Sequence, residues 1–237
     1  NRIAHGRFRA KLSAQEAAQL IGRWRCKLGI ALQNADGEWE VLQFRDAELT
    51  APSTYKLSGL LRGQFGTEAA MRDPVASGAR FVLLDSAIAQ VDMTQDEIGL
   101  AFNWKYGPQV YDIGDNSFQT TSHAFRGTGL RPLSPVHIKG EQTVDGLQIT
   151  WIRRTRIGGD SWEQTDVPLA ETSEAYEVDI LDGGTVVRTL NSNQPSVIYS
   201  SSQQIADFGS EQSQYTVRIF QISATYGRGI AREAIIP

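Results

Sequence analysis

What most constrains the fold of this chain is the alternation of apolar and polar residues at every second position in its last hundred residues. In Leu147-Gln-Ile-Thr-Trp151 the apolar side chains fall on one face, with Gln148 and Thr150 on the other. Tyr176, Val178 and Ile180 alternate with Glu177 and Asp179, and Asp182-Gly183-Gly184 turns the chain into Thr185–Thr189. Tyr215, Val217 and Ile219 alternate with Thr216 and Arg218, and the turn Tyr226-Gly-Arg-Gly229 leads to a last strand ending at Ile236. A period of two belongs to strands with one buried face. About seven such strands, separated by turn residues, predict a β-sandwich. Trp151, Tyr176 and Tyr215 are the bulky members of its inward set and the candidates for its core.

The first half reads differently. Ser13-Ala-Gln-Glu16 fits a capping box, and Ala17, Ala18, Leu20 and Ile21 follow at helical spacing, which predicts one short helix near 13–22. LGIALQ and EWEVLQF flank Asn34-Ala-Asp-Gly37 as a hairpin, and Arg80–Leu84 is a further strand. Leu57, Leu60 and Leu61 are core candidates. Arg62-Gly63 and Gly66-Thr67 then compress an arginine and two glycines into a sharp bend, where glycine points to positive φ or a close backbone approach. A short helical turn begun by Thr67 follows. Leu100, Phe102, Trp104 and Tyr106 alternate with Ala101, Asn103 and Lys105, a strand with an aromatic inner face. The segment 109–128 is polar and poorly periodic. Two prolines in Leu130-Arg-Pro-Leu-Ser-Pro135 make a stiff connector, so the expected units are 1–130 and 131–237, joined with little shared packing. The expected class is mainly β: a β-rich first unit with one short helix, then the sandwich.

Chemistry is sparse. Net charge is −4, which argues against a general nucleic-acid or anionic-membrane binder. One cysteine, Cys26, leaves no intrachain disulfide and no thiolate cluster. His5, His123 and His137 are scattered, with no metal-binding spacing. Asp112, Asp115 and Asn116 could hold calcium, but DIGDNS lacks the EF-hand spacing and reads as a turn cluster. Asp160, Glu163 and Asp166 form an acid cluster beside arginines, better suited to ion pairs than to acid–base catalysis. No catalytic residue, metal site or cofactor is expected. Arg153, Arg154, Arg156 and Trp162 lie on an insert read as a hairpin. They are the candidate partner-binding residues, since Arg and Trp dominate interface energetics. A solvated edge ribbon is the competing reading of the same residues.

Two resemblances follow. LLRGQFGTE, preceded by GEWEVLQF and followed by GARFVLLD, resembles the late part of the large tail-tip (baseplate hub, host-specificity) protein of gene transfer agents and related tailed phages. WIRRTRIGGDSW resembles the same family. Trp151, the YEVDI strand and YTVRIFQIS resemble a fibronectin type III module, with Tyr215 at the position of that family's strand-F tyrosine. Together the words cover most of 28–237, and the opening residues, which begin without methionine, suggest a piece of a longer chain. The resemblance implies a structural, non-enzymatic component of the distal tail of a virion or virus-like particle, present in three copies. It would contact other tail or baseplate proteins, tail fibres and a host receptor or polysaccharide, without direct nucleic-acid binding. The alternative is a carbohydrate-binding or adhesin module, motivated by the aromatic strand 100–106 and the sandwich. A polysaccharide-degrading enzyme is disfavoured because no carboxylate pair stands out.

Overall fold

A computed structural model describes residues 3–4, 8–11, 29–85, 88, 91–159 and 166–237. The helix expected near 13–22 lies outside them, as do His5, Cys26, Asp160, Trp162 and Glu163.

The first unit is two facing antiparallel sheets. One has the order β1 (Ile3–Ala4), β7 (Leu60–Gln64), β4 (Trp39–Gln43), β3 (Gly29–Gln33), β8 (Phe81–Leu84); the other is β2 (Phe8–Lys11), β6 (Thr54–Ser58), β5 (Asp46–Ala51). The expected hairpin is β3–β4, in register from Gly29↔Gln43 to Gln33↔Trp39. Its loop is organised by the Asn34 side chain, whose Oδ1 accepts from the N–H groups of Asp36 (2.9 Å) and Glu38 (3.0 Å). Ile30, Leu32, Leu42, Leu60 and Leu83 from one sheet meet Tyr55 and Leu57 from the other as one buried cluster. Of the three leucines expected inside, Leu57 and Leu60 are buried and Leu61 is half-buried.

A two-stranded ribbon, β9 (Ala101–Tyr106) with β10 (Gln119–Ala124), follows and pairs with no third strand among the described residues. The expected aromatic inner face is realised only in part. Phe102 and Trp104 are half-buried, and Trp104 meets Phe125 edge-on at 5.6 Å, but Leu100 (54%) and Tyr106 (59%) are exposed. With no sheet opposite, the ribbon has nothing to bury its ends against. β10 itself lies in a segment whose polar sequence, QTTSHA, hid its period.

The second unit is a fibronectin type III-like sandwich. Three strands, β11 (Val136–Thr143), β12 (Gly146–Ile152) and β15 (Ser196–Tyr199), face β14 (Thr185–Ser192), β13 (Tyr176–Asp182), β16 (Tyr215–Ser223) and β18 (Arg232–Ile236); short β17 (Gly227–Arg228) pairs with the end of β16. Alternation in β16 is complete: every odd-numbered residue from Tyr215 to Ser223 is buried. Trp151, Tyr176 and Tyr215 all lie in the core cluster. The Tyr215 hydroxyl donates to Gln204 Oε1 (2.5 Å) and accepts from the Gln212 N–H (2.7 Å), tying strand to preceding loop as a tyrosine corner does.

Helix α1 (Ser201–Phe208) was not expected. Its signal is present in the sequence: Ser200 and Gln203 form a reciprocal capping box, and Gly209 ends the helix at φ 78°. The helix closes one end of the sandwich. Gln204 is fully buried, donating to the Tyr199 carbonyl at 2.8 Å, and Phe208 packs edge-on against Tyr215. Asp207 anchors it further, accepting from Arg188 (2.6 and 2.8 Å) and from the Tyr199 hydroxyl (2.7 Å).

Candidate functional site at the junction of the two units

The glycine-rich bend is built by β7 and the turn after it. Arg62 on β7 points back across the sheet to Glu40 on β4. Its Nε donates to Oε1 at 2.8 Å and its Nη2 to Oε2 at 2.6 Å, and Nη2 also reaches the Arg72 carbonyl at 2.9 Å. Both side chains are buried, and the Gly63 N–H adds a bond to Glu40 Oε1 at 3.2 Å. The hydrogen-bonded carboxylate raises the Arg62 pKa above its ordinary value, although burial opposes it. A bidentate fork with an extra backbone donor is the geometry in which a buried pair is tolerated.

Gly63 and Gly66 have φ of 65° and 75°, as the bend led us to expect. A Cβ at Gly63 would meet Glu68 Cγ at 2.8 Å and Met71 Sδ at 2.9 Å; one at Gly66 would collide with the Thr128 carbonyl oxygen. Thr67 precedes a 3-10 turn, Glu68–Ala70, but its hydroxyl serves the neighbouring strands, accepting from the Val41 N–H (2.9 Å) and donating to the Gln64 carbonyl (2.6 Å). Replacing Gly66 by alanine is therefore expected to cost about 2–4 kcal/mol, from left-handed strain and overpacking against backbone. Thermal melting checks it, and an unchanged or raised Tm would contradict the close approach.

The bend delivers Glu68 to the junction. Its carboxylate accepts from Arg154 Nη2, 2.6 Å from both oxygens, and contacts Ser134 through Oγ (3.4 Å) and N–H (3.5 Å). Arg154 also donates to the Ser134 carbonyl and hydroxyl, each at 2.7 Å. The hydrophobic clusters of the two units share no residue. Ser134 of the connector is wedged between Glu68 of one unit and Arg154 of the other.

The insert arginines, the candidate partner-binding residues, also bond within the chain. Arg153 reaches Asp166 (2.6 Å) and the Pro168 carbonyl (3.0 Å), and Arg156 reaches Glu171 (3.2 Å) and the Ala170 carbonyl (3.0 Å). Along the 23-residue connection from β12 to β13, charge-assisted bonds to the Pro168 and Ala170 carbonyls hold the described residues in place. Its described residues, 153–159 and 166–175, form no strand, and the rest of the expected hairpin lies outside the described residues. Asp166 is an ion-pair partner there.

Residues 8–82 match the family model described as Rcc01698-like, C-terminal.

That span, about a third of the chain, contains the hairpin β3–β4, the Glu40–Arg62 pair and the bend. No curated protein matches. Among solved structures, domains d3–d4 of the rat CD45 extracellular region align at 12% identity and a TM-score of 0.29, covering 64% of this chain and 71% of that one. The FN5 domain of Drosophila Lar aligns at 12% identity and a TM-score of 0.24, covering 45% and 97%. At such TM-scores neither likeness carries weight; the sandwich assignment stands on strand order and the tyrosine corner.

Beside the bend a cleft of about 980 Å³ opens between the units, walled by Trp39, Phe125, Arg126, Thr128, Arg131 and Tyr226. Among the described residues no group of three or more His, Cys, Asp or Glu is placed to hold a metal ion. Asp112 and Asp115 each cap their own loop, accepting from the N–H groups of Gly114 and Ser117 at 2.8 Å. His123 is stacked edge-on against Phe125 at 4.8 Å. At the junction Glu68, Ser134 and Arg154 join the two β units through an ion pair and its hydrogen bonds. Neither Glu68 and Ser134 there nor Glu40 inside the first unit was singled out from sequence. Glu68 stood inside the quoted word, but its arginine partner is 86 residues away.

Proposed function

We propose that this chain is a structural, non-enzymatic component of the distal tail or baseplate of a gene transfer agent or tailed phage. In that reading it is part of the tail-tip hub, a β unit followed by a fibronectin type III-like module. The observation that carries the reading is the match of residues 8–82 to the Rcc01698-like, C-terminal model, over the same stretch that holds the GEWEVLQF and LLRGQFGTE words. The ion pair between Glu68 and Arg154 across the junction supports it, because a hub must hold its modules together while fibres or host-recognition proteins load them. Three copies per particle, neighbouring tail proteins and a host-surface receptor are the partners of this reading. The test is deletion of the gene, followed by imaging of particles and assay of DNA delivery. Loss of the distal tail with complementation in trans is the expected result; intact particles that deliver normally would overturn it. A glycan array on purified protein tests the alternative of a carbohydrate-binding module.

A further inference from the structure

The β9–β10 ribbon ends in a loop, 107–118, that concentrates exposed apolar surface. Tyr106 is 59% exposed, Val110 83%, Tyr111 56% and Ile113 61%. A two-stranded ribbon is marginal by itself, and apolar exposure this dense on a soluble face marks an interface. The loop also carries Asp112 and Asp115, each hydrogen-bonded within the same loop and with no ion pair among the described residues. The cleft beside the bend offers the complement. Its walls are aromatic, through Trp39, Phe125 and Tyr226, and its charges are Arg126, Arg131 and Glu38. Arg126 is exposed without an ion pair among the described residues, and Arg131 Nε is buried there without a hydrogen-bond partner.

We propose that the loop tip at Val110–Ile113 seats in this cleft of a second copy of the chain. A copy cannot fill its own cleft in this way. The cleft lies at the base of the ribbon, beside His123 and Phe125, while the tip begins beyond the pair Gln119↔Tyr106 at the far end. Six residue pairs separate the two ends, about 20 Å of strand. Tip and cleft are different surfaces, so the contact is either exchanged reciprocally in a two-fold dimer or passed from copy to copy in a ring or filament. This deepens the multi-copy part of the function proposed above, and it is tested on purified chain without reference to any particle.

The experiment is sedimentation of the full 237-residue chain over a wide concentration range. Reversible self-association is expected. Tyr111→Ser should weaken it about thirtyfold, as loss of a buried aromatic anchor does. Asp112→Arg should weaken it about tenfold, and Asp112→Arg combined with Arg126→Glu should restore it, since the swapped charges again face each other. Far-UV spectra matching the parent verify folding; if Tyr111→Ser unfolds, the charge swap decides alone. A chain that stays monomeric throughout, association unmoved by the tip variants, or failure of the swap to rescue would each overturn the proposal.

Discussion

Glu40→Gln is expected to destabilise the first unit by about 3–5 kcal/mol, because it leaves the Arg62 guanidinium buried without a counter-charge. The substitution is nearly isosteric, so cavity formation contributes little and electrostatics dominate. Glu40 is 1% exposed and accepts three hydrogen bonds, two from Arg62 and one from the Gly63 N–H. An amide offers one acceptor oxygen where the carboxylate offered two, so one arm of the fork is also lost. A control separates the pair from its burial. Replacing both partners with apolar residues, Glu40→Leu with Arg62→Met, should be milder than Glu40→Gln alone, since no buried charge is then uncompensated. Denaturant unfolding measures both, and a single variant milder than the double would contradict the description of the pair.

Trp151→Ala should cost a similar amount, about 3–5 kcal/mol, in the second unit. The indole is 4% exposed and meets Tyr176 edge-on at 5.0 Å, between the two sheets. Its N–H has no hydrogen-bond partner among the described residues, so the side chain stabilises through buried area and ring contact, both lost with alanine. Such a loss is comparable to the whole stability of a small module. The expected readout is a fall in the melting temperature of the sandwich by about 10 °C or more. A change of a degree or two would place Trp151 outside the core.

These expectations rest on features that differ in how far sequence exposes them. The inward faces of β12, β13 and β16 were legible because a half-buried strand writes its burial as a period of two, and Trp151, Tyr176 and Tyr215 are buried accordingly. Positive φ at Gly63 and Gly66 was legible because few other residues adopt it cheaply. β10 was not, since its sequence, QTTSHA, is polar on both faces. α1 was hidden by its polar run, SSQQ, although Ser200 and Gln203 carried its cap. The arginines on the insert were read as a surface because their partners are non-local: Arg154 meets Glu68, Arg62 meets Glu40, and no local spacing encodes either pairing. Buried ion pairs are settled by the folded topology, and sequence shows only that the charges exist.

Glu68 and Arg154, with Ser134 between them, tie the two β units together. A double-mutant cycle of Glu68→Gln and Arg154→Met, read by denaturant unfolding, tests it most directly. A coupling energy of about 1–3 kcal/mol is expected, as for side chains sharing one hydrogen-bond network. Strictly additive effects, with coupling below about 0.3 kcal/mol, would contradict it and return the connector to a loose hinge.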